Sequence, residues 1–158
     1  WQAVGGATAA GAGPEPLTGA DSYPLGEPLV NTTDTANLAA RLGKPGLTII
    51  DARAGARFRG EVEPLDPVAG HIPGALNRPF TDNLLPDGRF KSAEALRTEF
   101  MALLARRDPG GVVHQCGSGV SAVPNLIAME IAGLGRATLY PGSWSAWSNT
   151  PGTPRAKG

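Results

Sequence analysis

Apolar runs alternate with polar, turn-forming stretches along this chain, and the periods of that alternation predict its elements. Leu47-Thr48-Ile49-Ile50 and Val112-Val113-His114-Gln115 are short runs bounded by turn residues and read as buried strands. Briefer strands are predicted at 75–77 and at Ala137-Thr138-Leu139-Tyr140, with another at Leu29-Val30. Helical spacing marks the intervening segments. Thr33 resembles an N-cap, with Asp34 in the first turn and Leu38, Ala39 and Leu42 on one face; Gly43 and Pro45 end that helix. Residues 54–59 read as a helical turn containing Arg57, and 61–67 as a polar, proline-containing loop. Ser92 caps a helix reaching about 106, striped with Ala95, Leu96, Phe100, Leu103 and Leu104. A further apolar helix is predicted over 123–132, and a short one over 144–148. The chain after Asn149 is expected to fray.

Strands that alternate with helices imply an α/β layer fold with a mainly parallel central sheet flanked by helices. Such sheets bind ligands at the carboxyl ends of their strands. Asp51, Arg57 and Cys116 all fall at or just past predicted strand ends, so they are expected to converge. Residues 1–28 are rich in Ala, Gly and Pro and read as linker, residues 29–150 as the folded domain and residues 151–158 as a tail. Trp1-Gln2-Ala3-Val4 weakly echoes Trp144-Ser145-Ala146-Trp147, as if the chain began at the last helix of a preceding copy.

The 158 residues suit one domain, and equal numbers of acidic and basic residues argue against nucleic acid or an anionic membrane as partner. No apolar run approaches the ~20 residues of a membrane span, and the first residues lack the pattern of a secretory signal. One cysteine makes neither an internal disulfide nor a multi-cysteine metal site, and the two histidines lie far from each other in sequence. No metal and no cofactor are expected, and a reducing cytoplasm is the expected compartment.

The candidate chemistry sits in Cys116-Gly117-Ser118-Gly119-Val120-Ser121-Ala122. A thiol at a strand end, before a helix N-terminus, has free backbone N–H groups and a helix dipole that favour its anion. The bland alternative is a small buried hydrophobe. His71 and His114 read as structural histidines rather than bases, and Asp51 as an anchor for backbone N–H groups. Arg57 is open between substrate binding and an ion pair. Trp144 and Trp147 read as core or interface aromatics.

Taken together, Asp51-Ala52-Arg53, Arg57-Phe58, Gly70-His71-Ile72-Pro73-Gly74-Ala75, the Cys116 loop and Tyr140-Pro141-Gly142-Ser143-Trp144 resemble the C-terminal catalytic rhodanese domain of two-domain sulfurtransferases. The loop resembles that of the 3-mercaptopyruvate type more than the thiosulfate type, which carries basic residues after the cysteine. The resemblance implies a rhodanese-like three-layer fold and a Cys116 persulfide. Sulfur would pass from 3-mercaptopyruvate or thiosulfate to a thiol, a thioredoxin-like protein or cyanide. It further implies that the loop amides of Gly117, Gly119, Val120, Ser121 and Ala122 ring the sulfur, that Ser118 helps move a proton, and that Arg57 holds the donor carboxylate. Two departures stand out. The family's second arginine, in the loop before Gly70, is missing from Glu61-Val62-Glu63-Pro64-Leu65-Asp66-Pro67, leaving Arg59 as the candidate substitute. A first rhodanese domain, which would supply an Asp–His relay, is absent from this chain.

Two other classes compete. A cysteine phosphatase needs an arginine six residues after its nucleophile, where this chain has Ala122. A non-catalytic rhodanese-like carrier or regulatory module would tolerate the missing first domain.

Overall fold

A computed structural model describes residues 1–13 and 26–158; residues 14–25 of the expected linker lie outside the described residues. Among the described residues four strands form one sheet in the order β2-β1-β3-β4, where β1 is Thr48–Asp51, β2 Leu76–Asn77, β3 Val112–Gln115 and β4 Thr138–Leu139. Every pairing is parallel, with Thr48 opposite Val112 and Asp51 opposite Gln115 at the centre. Strands covered on both faces need apolar side chains in both directions. Accordingly all four residues of β1 and of β3 are buried.

The helices complete three layers. Helix α1 is Thr35–Arg41, α2 Gly55–Phe58, α3 Ala93–Leu104, α4 Val123–Ile131 and α5 Ser143–Asn149. On one face Ile50 and Val112 pack with Leu96, Phe100 and Leu104 of α3 and Met129 of α4. On the other, Ile49 and Val113 pack with Leu38 of α1 and with Trp144 and Trp147 of α5. The predicted α3 stripe is thus the buried face of that helix, with Ser92 as its cap through Oγ to the Ala95 amide. Both tryptophans are wholly buried, as core aromatics.

Three local expectations change. The cap of α1 is Asp34, not Thr33: Asp34 Oδ1 accepts the Asn37 amide at 2.7 Å, and Thr35 Oγ1 then lies 2.6 Å from the Tyr140 hydroxyl. Leu29-Val30 forms no strand; the edge of β4 instead pairs with 31–33, where Leu139 N donates to Asn31 O and Thr33 N to Leu139 O. The end of the chain does not fray. Ala156 and His71 exchange two backbone hydrogen bonds of 2.9 Å, and the Trp147 indole donates to Pro154 O. Gly70 permits this docking: at φ +131° its absent Cβ would stand 2.3 Å from Ala156 O.

Candidate active site

β3 ends on Gln115, so Cys116 sits at the carboxyl end of a central parallel strand, next to the end of β1. The backbone there is clamped from below by the start of α5. Cys116 N donates to Ser143 Oγ at 3.1 Å, Trp144 N donates to Cys116 O at 3.0 Å, and Ser145 N donates to Gly117 O at 2.9 Å. Gly119 takes φ +83° and passes so close to Pro141 that a Cβ would be 2.5 Å from its carbonyl oxygen. The loop is therefore folded back over the Pro141–Ser143 turn. Within it, the amides of residues 117–122 donate to no described residue. Unpaired amides at a helix N-terminus favour an anion.

A cavity of about 290 Å³ opens beside the loop. Cys116, Gly117, Ser118 and Ser121 line one side of it, and Arg57 of α2 faces them. Leu65 and Phe80 supply apolar wall. Cys116 is only 2% exposed, so reagents reach its thiol through this cavity rather than from open solvent. The other loop residues lie elsewhere. Gly119 is buried against Pro141, Val120 points out into solvent, and Ala122 packs behind the loop against Ala52 and Cys116.

The two arginines near the cavity are held differently. Arg53 is saturated: its guanidinium donates to both Asp51 oxygens, to Gly70 O and to Glu63, and lies 4.9 Å from the Trp144 ring centre. Asp51 also accepts the Arg53 amide, so it anchors backbone as expected. Arg57 gives Nε and Nη2 to Glu63, at 3.3 and 2.6 Å, and Nη2 lies 3.7 Å from Asp66. The edge formed by Nη1 and Nη2 faces Gly117, whose absent Cβ would be 3.4 and 3.5 Å from the two nitrogens, and of these Nη1 donates to no described residue. Arg57 is thus ion-paired to Glu63 and at the same time lines the cavity. Arg59 does not replace a second cavity arginine. It is exposed and paired with Glu61, and Leu65 stands at the cavity wall instead.

Glu63 joins Arg53 and Arg57. Burial pushes its carboxyl up, but hydrogen bonds from Arg57 and from the Leu65 and Asp66 amides outweigh this, and the net shift is downward. His71 is structural, with Nδ1 2.7 Å from Phe58 O and its ring stacked on Phe58. His114 is wholly buried against Met129, and burial, aided by the Arg78 charge, lowers its pKa to about 3. Among the described residues no group of three or more His, Cys, Asp or Glu could hold a metal ion, and no helix is long and apolar enough to cross a membrane.

Glu63, Asp66 and Ser143 carry the geometry of this site, yet the sequence reading assigned none of them a role. One signal for Glu63 was present. An arginine near a buried strand end requires a carboxylate partner, and Glu63 is a nearby acid in the 61–67 loop.

The model of the rhodanese-like domain family matches residues 34–150. The "Probable 3-mercaptopyruvate sulfurtransferase" of Pseudomonas aeruginosa is 56% identical over 125 residues, 79% of this chain and 44% of that protein. The "Putative thiosulfate sulfurtransferase SseB" of Mycobacterium tuberculosis is 48% identical over 123 residues, 76% of this chain and 42% of that one. A solved structure of 3-mercaptopyruvate sulfurtransferase from Leishmania major superposes with a TM-score of 0.68 at 31% identity, covering 91% of this chain and 40% of its own. The chain spans less than half the length of these relatives.

Proposed function

Because this chain belongs to the rhodanese-like domain family, we propose that it is a sulfurtransferase domain working through a Cys116 persulfide. One observation carries the reading. The only cysteine lies at the carboxyl end of a central strand, lining a cavity, with unpaired amides in its loop and Arg57 opposite. We read the domain as the C-terminal, catalytic half of a two-domain protein, whose preceding domain is outside this chain.

The donor is 3-mercaptopyruvate, with thiosulfate as the alternative. Arg57 Nη1 receives the donor carboxylate in a charge-assisted hydrogen bond. The Cys116 thiolate attacks the donor sulfur, an S–S bond forms, and the C–S bond breaks with its electron pair on carbon. The resulting enolate takes a proton, relayed past the exposed Ser118 hydroxyl, and leaves as pyruvate. The loop amides from Gly117 to Ala122 stabilise the charge on the persulfide. A thiolate, that of a small thiol or of a thioredoxin-like protein, then attacks the outer sulfur and regenerates the Cys116 thiolate. Cyanide takes the same sulfur as thiocyanate. No oxidant or reductant enters either half. The buried Ala122 leaves the loop without the cation that phosphoryl transfer needs, which disfavours the phosphatase alternative.

The test is mass spectrometry of the chain after incubation with 3-mercaptopyruvate or thiosulfate. A gain of one sulfur atom on Cys116, removed by cyanide, is expected. No gain with either donor, from a chain whose Cys116 still alkylates, overturns the proposal in favour of a non-catalytic module.

A further inference from the structure

We propose that Glu63 is a positioning residue: it turns the Arg57 guanidinium so that Nη1 faces the Cys116 loop, and thereby sets the cavity's preference for carboxylate-bearing reagents. The inference rests on the reading of this cavity as the donor site.

A guanidinium is a rigid plane with two edges that can grip a carboxylate as a fork. Glu63, with its side chain 3% exposed, occupies the edge formed by Nε and Nη2. The second edge, Nη1 with Nη2, stands against Gly117, at 3.4 and 3.5 Å from where its Cβ would be, and on that edge only Nη1 has no acceptor among the described residues. Glu63 is itself fixed, because it also accepts Arg53 Nη1 at 3.2 Å and the amides of Leu65 and Asp66 at 3.1 and 3.3 Å. The orientation of Arg57 is thus tied to the backbone of the loop that carries Leu65, the apolar wall of the same cavity.

Net charge does not explain an anion preference here. Arg53 and Arg57 face three carboxylates, those of Asp51, Glu63 and Asp66. Two cations against three anions give the cluster one net negative charge. A carboxylate entering the cavity must therefore be held by directed N–H groups, and the direction of Nη1 is what Glu63 fixes. Asp66 acts differently. It stands 3.7 Å from Nη2, and its Oδ2 has no hydrogen-bond partner among the described residues, so it competes for the charge without gripping the plane.

Two substitutions separate orientation from charge. Glu63→Gln keeps one oxygen for the loop amides but turns an NH2 toward guanidinium donors, so the fork is lost. Asp66→Asn removes a charge and no hydrogen bond to Arg57. A view based on charge alone predicts that both variants favour anions more than the wild type does. Positioning predicts opposite directions.

The experiment uses the full 158-residue chain, whose single cysteine makes alkylation unambiguous. Rates of Cys116 alkylation by iodoacetate and by its neutral counterpart iodoacetamide are compared by mass. In both reactions the thiolate forms an S–C bond, the C–I bond breaks and iodide leaves. The iodoacetate-to-iodoacetamide rate ratio is expected to fall roughly tenfold in Glu63→Gln, the order of one charge-assisted hydrogen bond. It is expected to rise roughly twofold in Asp66→Asn, the order of a screened charge. Glu63→Asp, which keeps the charge but withdraws it by one methylene, is expected to lower the ratio as well, and it decides the matter if the glutamine variant does not fold. A ratio unchanged or raised in the folded Glu63 variants overturns the proposal. Sulfur loading from 3-mercaptopyruvate is measured alongside: its failure in the wild type sinks the sulfurtransferase reading, whereas a ratio indifferent to Glu63 sinks this inference alone.

Discussion

The backbone amide of Cys116 donates to Oγ of Ser143 over 3.1 Å, and that hydroxyl donates in turn to the Tyr140 carbonyl over 2.9 Å. Ser143 does this from φ 53°, a left-handed conformation that costs a non-glycine residue roughly 1 kcal/mol. A strained, wholly buried serine that serves the cysteine's own amide ties the end of β3 to the start of α5. Ser143→Ala keeps the strain and leaves the buried amide without its acceptor, at a cost of about 1–3 kcal/mol. Ser143→Gly loses the same acceptor but relieves the strain. Urea denaturation is expected to order the stabilities as wild type, then glycine, then alanine. An alanine variant as stable as wild type would show that the clamp does not depend on this hydroxyl.

His114 links stability to pH. Its folded pKa is lowered to about 3 by burial and the Arg78 charge, below the ordinary value of 6.5. Between those values the unfolded chain binds a proton that the folded chain does not, so stability falls as pH falls. The full contribution is present above pH 6.5, and about 1.4 kcal/mol is lost per pH unit below it. Glu63 and Glu99 have pKa values lowered from 4.5, so their own losses begin further toward acid. His114→Leu is expected to flatten the stability curve between about pH 6 and 5, measured by denaturant titration at each pH. Parallel slopes for the two proteins would contradict a buried neutral imidazole.

The layers of this fold were legible because the strands are short apolar runs and the helices carry one-sided stripes. Ile49, Ile50, Val112 and Val113 must face two packed layers, and Leu96, Phe100 and Leu104 must face one. The choice of Asp34 over Thr33 as helix cap was not legible, since adjacent residues offered the same chemistry. Tertiary contacts favour the observed register, which buries Leu38 and sets Thr35 against Tyr140. At the site, the place of Cys116 followed from strand, turn and helix. The grip on Arg57 did not, because it depends on how the 61–67 loop folds back, and no periodicity encodes that. Arg59 illustrates the same limit: two residues from Arg57 in sequence, it is spent on Glu61 at the surface.

The docked end of the chain makes a separate prediction. Gly70 approaches Ala156 so closely, and at so unusual a backbone angle, that a methyl group there must displace one of the two segments. Gly70→Ala is expected to release the residues after Pro154, breaking the paired hydrogen bonds between His71 and Ala156. The loss is expected to be about 1–3 kcal/mol, the usual cost of a strained position. Limited proteolysis should then cut between Pro154 and Gly158 in the variant while leaving the wild type intact. Equal resistance would mean that the turn absorbs the methyl group without freeing the tail.

Arg57→Lys tests the proposed donor contact without removing a charge. The arginine gives its Nε–Nη2 edge to Glu63 and leaves Nη1, which has no acceptor among the described residues, beside Gly117. A lysine ammonium is a single point of charge on a flexible stem, and the nearest strong acceptor for it is Glu63 rather than a ligand. The ion pair is therefore expected to survive while the cavity-facing donor is lost, so thermal stability should change little. If Arg57 grips the carboxylate of 3-mercaptopyruvate equally in the ground state and the transition state, KM should rise by roughly tenfold with kcat nearly unchanged. A fall in kcat at constant KM would instead place Arg57 in the bond-breaking step, where it stabilises the departing enolate. Unchanged values of both would mean that the donor binds without this guanidinium and that the loop amides alone hold it.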